Sequence, residues 1–110
     1  MKIKIFYLNR SLPLEVNPLS SAGKYIGLMF RSSKTKNLLF NFKRNRRHAI
    51  HSLFVFCPFL ALWLDNKNIV QEYKIIPPFS SCIIPKKPFQ RLVEIPISEE
   101  NNYIINFFRR

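Results

Sequence analysis

The segment FLALWLDNKNIVQEYKII, residues 59–76, decides the fold class that we predict for this 110-residue chain. Two apolar stretches, Phe59 to Leu64 and Ile69 to Ile76, flank the polar tetrapeptide Asp65 to Asn68. Asp and Asn favour turns because their side chains bond to nearby backbone groups. We therefore predict two strands joined by a turn, which pair as a β-hairpin.

Further short stretches on both sides of this hairpin also predict strands. Ile3 and Ile5 alternate with lysines, which is the period of a strand with one inward face. Residues 9–19 predict a connection with a short extended piece around 14–16, and Ser98 to Asn102 a turn or a single helical turn. The remaining predicted strands are 2–8, 37–42, 49–56, 81–84, 90–95 and 103–108.

This pattern favours a single all-β domain over residues 1–110, built as a small antiparallel sandwich or a distorted barrel. One short helix is predicted near residues 20–28, where Ser20 or Ser21 can cap it and Gly23 and Gly27 weaken it. The alternation of strands and helices that marks a parallel sheet is not present.

Composition excludes several classes of protein. With 47% hydrophobic residues the chain can bury one core, and with 2 Gly it lacks the material for a glycine-rich phosphate loop. The longest apolar run, 53–64, is too short to span a bilayer, and no secretory signal precedes it. We therefore expect a cytoplasmic protein in which Cys57 and Cys82 are buried reduced thiols; a Cys57–Cys82 disulfide is the alternative.

The motif Gly27-Leu28-Met29-Phe30-Arg31 resembles the Gly-Leu-Met-aromatic-Arg signature of a prokaryotic family named domain of unknown function 192. Over about residues 2–108 the order of the segments is also similar to that family. The resemblance implies an all-β fold with a small helix and no particular activity. Leu60 stands where the family has an Asp, and no Gly-Asp pair precedes the last predicted strand. The other matching segments are 38–42, 50–55, 58–65 and 92–96.

Charge is the most pronounced feature of the sequence, with a formal net charge of +12. Residues 16–64 contain eight Lys and Arg residues and no Asp or Glu. Four of the eight, Lys43, Arg44, Arg46 and Arg47, fall in what we predict to be a loop between two strands. Such a basic loop can bind phosphates, so nucleic acid is the first expected partner and anionic lipid the second. A merely solvated basic surface is the alternative.

A second hypothesis is a small-ligand site or an enzyme using a polar cleft around Arg31, His51 and Glu94. Glu94 lies within an alternating apolar strand, where a carboxylate needs a partner. A structural Arg31–Glu94 salt bridge is the competing interpretation. No motif for nucleophilic catalysis is found, and His48 and His51 lie on opposite faces of a predicted strand. We therefore assign no catalytic residue, metal or cofactor.

Overall fold

The computed structural model describes residues 1–19, 37–46, 58–77 and 84–109. These residues form seven strands, one turn of 3-10 helix and one α-helix. The strands are β1 (Lys2–Tyr7), β2 (Arg10–Glu15), β3 (Asn17–Leu19), β4 (Leu38–Arg46), β5 (Phe59–Leu64), β6 (Val70–Ile76) and β7 (Phe89–Pro96); the 3-10 turn is Glu99–Asn101 and the helix is α1 (Asn102–Arg109).

Five of these strands form one sheet in the order β3-β4-β7-β5-β6. The predicted hairpin is confirmed, because β5 and β6 pair antiparallel from Phe59 opposite Ile76 to Leu64 opposite Val70. Strand β7 lies in the middle and pairs antiparallel with both β4 and β5. Only β3 runs parallel to its neighbour, β4.

Strands β1 and β2 form a separate antiparallel ribbon. Their turn places Leu8 and Asn9 at φ 48° and 63°, the left-handed values that a two-residue hairpin turn requires. Residues 10–15 therefore form a strand where the sequence predicts mainly a connection. The prediction was wrong because proline, here Pro13, is uncommon in strands. Proline has no N–H to donate, but β2 pairs with β1 along one edge only, and an edge strand tolerates it.

The five-stranded sheet is apolar on both faces. Strand β5 is buried along its whole length, so its even-numbered residues supply one face and its odd-numbered residues the other. The ribbon and α1 pack on the first face. The first-face core comprises Ile5, Leu14, Val16, Leu39, Leu60, Leu62, Leu64, Val70, Val93, Ile95, Ile104, Ile105 and Phe108. The second-face core comprises Leu38, Phe40, Phe59, Ala61, Trp63, Ile76, Phe89 and Leu92.

The prediction of a last strand over 103–108 is wrong, since these residues belong to α1. A strand would place Asn106 on the same side as Ile104 and Phe108. A helix instead collects residues at spacings of one and four on one face, and it buries Ile104, Ile105 and Phe108 while leaving Asn106 exposed. The helical turn at Glu99–Asn101 agrees with the prediction for the preceding polar stretch.

The all-β, sandwich-like class is confirmed. The predicted strands over 2–8, 37–42 and 90–95 correspond to β1, β4 and β7. The helix near 20–28, the strand 49–56, most of the stretch 81–84, and Cys57 and Cys82 lie outside the described residues. In the described part of the chain, no helix has the length and apolar character to cross a bilayer.

Candidate functional site

Strand register brings several basic residues to one end of the five-stranded sheet. Strand β4 ends at Arg46, which pairs with Phe89 at the start of β7. Lys86 and Lys87 lie just before β7 in the chain. The last residue of β5, Leu64, pairs with Arg91, so the turn that follows β5 lies at the same end. We call this set the basic end; it comprises Lys43, Arg44, Arg46, Lys67, Lys86, Lys87 and Arg91.

The position of the basic segment within the fold differs from the prediction. Residues 43–46 continue β4 beyond a register shift after Asn41, and they do not form a loop. Strand β3 pairs only with the first three residues of β4, from Leu38 to Phe40. The basic half of β4 therefore has β7 on one side and lies past the end of β3 on the other. Arg47 lies outside the described residues.

A hydrogen-bonded turn holds part of the basic end in place. Asp65 Oδ1 accepts the backbone N–H groups of Lys67 at 2.8 Å and of Ile69 at 2.9 Å. Asn68 adopts φ 65°, and its Oδ1 accepts a 2.7 Å hydrogen bond from the Arg91 guanidinium. The turn therefore holds the Arg91 guanidinium in place, and it fixes the backbone from which the Lys67 side chain extends.

The acidic side chains near the basic end bond to backbone groups. Asp65 accepts the two turn N–H groups, and Glu72 Oε1 accepts the backbone N–H of Lys86 at 2.8 Å. Lys67, Lys86 and Lys87 are exposed to solvent. In the described residues the one salt bridge is elsewhere, between the N-terminal ammonium and Glu15. The exposed lysines at this end thus remain available to an external anion.

Glu94 lies in the centre of the sheet on its second face. It pairs with Leu38 of β4 on one side and Ala61 of β5 on the other, and it is 6% exposed. Burial raises the pKa of its carboxyl from the ordinary 4.5 to about 8, and no charge or hydrogen bond of a described residue offsets this. The carboxyl is therefore mostly protonated at neutral pH.

The structure tests the predicted cleft at Glu94 alone, because Arg31 and His51 lie outside the described residues. Leu60, which stands where the family has an Asp, also bears on the predicted cleft. Leu60 points into the first-face core, whereas Glu94 is on the second face. A carboxylate at position 60 would thus lie on the opposite side of the sheet from Glu94.

Trp63 is a polar group that sequence reasoning missed. Its side chain is fully buried on the second face, and its Nε1–H has no hydrogen-bond partner among the described residues. A buried unpaired donor costs about 1–3 kcal/mol, so native proteins seldom keep one without a reason. The signal in the sequence was a tryptophan at an inward position of a buried strand, which implies a donor that needs an acceptor.

Metal-binding side chains do not cluster in the described part of the chain: no group of three His, Cys, Asp or Glu residues is found there. Both histidines and both cysteines lie outside it. Of the described acidic side chains, Asp65 and Glu72 accept backbone N–H groups and Glu15 pairs with the N-terminal ammonium. Glu94 is buried, and the remaining two, Glu99 and Glu100, are exposed in the 3-10 turn.

Comparison with known proteins supports the fold. A family model described as an uncharacterised ACR, domain of unknown function 192, matches residues 12–105 and confirms the resemblance. No curated protein matches the chain. A candidate transcription regulator from Sinorhizobium meliloti 1021 is similar in structure, with TM-score 0.77 and 16% identity over 94% of this chain and 84% of that one. A protein of unknown function from Novosphingobium aromaticivorans DSM 12444 has TM-score 0.76 and 13% identity over 94% and 76%.

Proposed function

Because the chain belongs to domain of unknown function 192, an uncharacterised family, we propose a function from its own geometry: it is a binding module that holds nucleic acid through the basic end. The observation that supports this proposal is the register of β4, β5 and β7, which brings basic residues of four segments to one end of one sheet. The proposal assigns no catalytic step and no cofactor.

The chemistry of the basic end suits a phosphate backbone. Exposed lysines bind phosphates as point charges, and each phosphate that they neutralise releases condensed counterions. Lys67, Lys86 and Lys87 are exposed, and the nearby carboxylates of Asp65 and Glu72 already accept backbone N–H groups. A protein similar in structure is described as a candidate transcription regulator, and such a role would also involve nucleic acid.

The test measures binding of the purified chain to mixed-sequence RNA and duplex DNA by fluorescence anisotropy, at about 50 and about 200 mM salt. The variant Lys86→Glu/Lys87→Glu changes two exposed residues before β7. The control Lys2→Glu/Lys4→Glu makes the same change of net charge on β1. We expect the first variant to lower the slope of log K against log salt by about 2, and the control to leave the slope nearly unchanged.

Two results would overturn the proposal: no binding at low salt, or equal weakening by both variants. The second result would mean that total charge matters and the basic end does not. Charge reversal at Lys43, Arg44, Arg46 and Arg47 extends the test to the remaining predicted residues. Binding to vesicles containing anionic lipid, without binding to either nucleic acid, would reassign the same surface to a membrane partner.

A second candidate function is small-ligand binding beside Glu94, the residue of the predicted cleft that the structure describes. A carboxyl group buried in the centre of an apolar sheet face, with no described partner, is the specific observation that favours it. Charge reversal at the basic end leaves such a site intact, so the two candidate functions are separable with the same variants. Arg31 and His51 remain proposed members of this cleft.

A further inference from the structure

Strand β6 forms an outer edge of the five-stranded sheet. It pairs with β5 on one side and is the last strand in the order of the sheet. On its other side, β1 meets it at the start, where Phe6 bridges to Ile69 and the Phe6 N–H donates to the Asn68 carbonyl. Within the described residues, no strand pairs with this side of the rest of β6. An edge of this kind can accept a further strand.

The middle of β6 is accessible to such a strand. Tyr73, Lys74 and Ile75 are exposed, and 38% of the tyrosine and 47% of the isoleucine are in contact with solvent. Residues 72–76 also pair with β5 in continuous register, so this part of the edge has no bulge that would turn it away from a partner.

Two charged side chains on this edge have opposite signs and lie on the same face of the sheet. Glu72 pairs with Trp63 and Lys74 with Ala61, which places both charges on the second face. Neither forms an ion pair with a described residue, although Glu72 accepts the backbone N–H of Lys86. A lysine on an edge strand usually discourages pairing, unless the incoming strand brings a carboxylate opposite it.

A second copy of β6 brings a carboxylate to that position. Two antiparallel copies related by a two-fold axis at Tyr73 place Glu72 of each opposite Lys74 of the other, and the two tyrosines opposite each other. Opposite charges and aromatic pairs across strands are stabilising. An axis at Glu72 or at Lys74 would instead place two like charges opposite each other, which is destabilising. The sequence of β6 is thus complementary to itself in one register.

We propose that β6 is a self-association edge, at which two copies of the chain pair antiparallel about Tyr73 and join their sheets into one. The interface is isologous, because the same residues contribute from both copies. The ends of the strand fit this register: Ile69, where β1 bridges to β6, comes opposite Pro77 of the other copy, and proline has no N–H to donate to a ladder. This surface is separate from the lysines before β7 and does not rest on the proposed nucleic-acid binding.

Sedimentation equilibrium of the native chain measures the association. We expect the weight-average mass to rise from 13.1 kDa toward twice that value with increasing concentration, up to about 1 mM. The rise should be larger at about 200 mM salt than at about 50 mM, because each copy carries +12 and salt screens the repulsion between them. A monomer at every concentration and at both salt concentrations overturns the proposal.

Charge variants test the two ion pairs. Lys74→Glu places carboxylates opposite each other at both sites and should weaken the association by about tenfold or more. Glu72→Lys/Lys74→Glu exchanges the charges, keeps the net charge and restores both pairs, so it should associate more tightly than Lys74→Glu. Lys4→Glu, an exposed position on β1, makes the same change of net charge as Lys74→Glu and should not weaken the association. Equal weakening by Lys74→Glu and Lys4→Glu overturns the proposal.

Cysteine crosslinking tests the register without altering Glu72, whose contact with Lys86 could affect folding in the exchanged variant. Residues directly opposite on paired strands are close enough for a disulfide. Under mild oxidation, Tyr73→Cys should therefore form a disulfide between the two copies of position 73, identified by peptide mass mapping. Ile75→Cys is the matched control and should not join to itself, because position 75 lies opposite Gln71 of the other copy. Equal or faster crosslinking at position 75 overturns the proposed register.

Discussion

Glu94 is the residue whose environment departs most from what its chemistry prefers. It is surrounded by the apolar side chains of the second face, and burial raises the pKa of its carboxyl to about 8. One of the six acidic residues therefore carries little charge at pH 7, and the net charge of the folded chain exceeds the formal +12. A group held in its neutral form in this way makes folding depend on pH.

The stability of the chain should fall as the pH rises between 4.5 and about 8. Above pH 4.5 the unfolded chain releases the Glu94 proton, whereas the folded chain retains it until about pH 8. The folded state then binds more protons, so the free energy of unfolding decreases by up to about 1.4 kcal/mol per pH unit from this group. Urea unfolding at pH 5, 6, 7 and 8 measures the slope.

The variant Glu94→Gln should remove this part of the slope, because an amide has no proton to lose. Glu99→Gln is the control, since Glu99 is exposed in the 3-10 turn. An identical decline in the native chain and in Glu94→Gln would contradict the assignment of the pH dependence to Glu94.

Asp65 is the residue on which the β5–β6 turn depends. Its Oδ1 accepts two backbone N–H groups, from Lys67 and Ile69. Asp65→Ala should lower the free energy of unfolding by about 1–3 kcal/mol, because it leaves both groups without their acceptor. Denaturant unfolding checks this, with the exposed neighbour Asn66→Ala as control. Equal losses in the two variants would show that these hydrogen bonds contribute little.

Among the elements, α1 shows how the surroundings select a secondary structure. Residues 103–108 are apolar enough to be read as a strand, but the sheet's first face offers a surface that a helical stripe covers. Only a helix places the side chains of Ile104, Ile105 and Phe108 together on one side, where they pack against that surface. Most helical stability in proteins comes from such packing and less from intrinsic propensity.

Substitutions along α1 should follow the helical pattern. Ile104→Ala should cost about 2–5 kcal/mol because it empties a fully buried site. Asn106→Ala should be neutral or stabilise by a few tenths of a kcal/mol, since Asn106 is exposed and alanine is the better helix former. Thermal unfolding measures both, with Tyr103→Ala as an exposed control. A large loss in Asn106→Ala would indicate that this side chain faces the core.

Strand β4 also owes its secondary structure to a neighbouring element, in this case strand β7. The charged stretch from Lys43 to Arg46 has the composition of a loop, yet Arg46 pairs with Phe89 of β7. Pairing of Arg46 with β7 keeps the end of this stretch on a strand, against the preference of charged residues for solvent. The basic end is thus built partly on a strand that is joined to β7 at Arg46.

The charge of the whole molecule should make its stability depend on salt. The chain carries 18 basic and 6 acidic residues, and several cations meet at the basic end. Repulsion within the folded state is screened as the ionic strength rises. We expect the melting temperature to increase between about 20 and about 200 mM NaCl, across which the Debye length falls to below about 10 Å.

The variant Lys86→Gln/Lys87→Gln should show a smaller increase than the native chain, and Lys2→Gln/Lys4→Gln should show an increase close to the native one. Differential scanning calorimetry compares the three proteins at each salt concentration. A melting temperature independent of NaCl in the native chain would show that the cations are too far apart to repel one another.

Local patterns in the sequence were enough to predict β1, the β5–β6 hairpin and β7, because alternation and turn chemistry act between residues a few positions apart. The all-β class followed from the same patterns, whereas the family resemblance rested on the motif over residues 27–31 and on the order of the segments, and the family model confirms it. Glu94 was also found this way, as a carboxylate among apolar neighbours. Its raised pKa was not, because that depends on how much water the surrounding sheet removes.

Tertiary structure alone decided which distant residues became neighbours. Strand order brought Arg91 opposite Asn41, where the basic half of β4 begins, and register made Trp63 a diagonal neighbour of Glu94. The first face of the sheet selected a helix for residues 102–109. The physical reason is common to all three: pairing and packing join residues far apart in the chain, and no short-range periodicity carries that information.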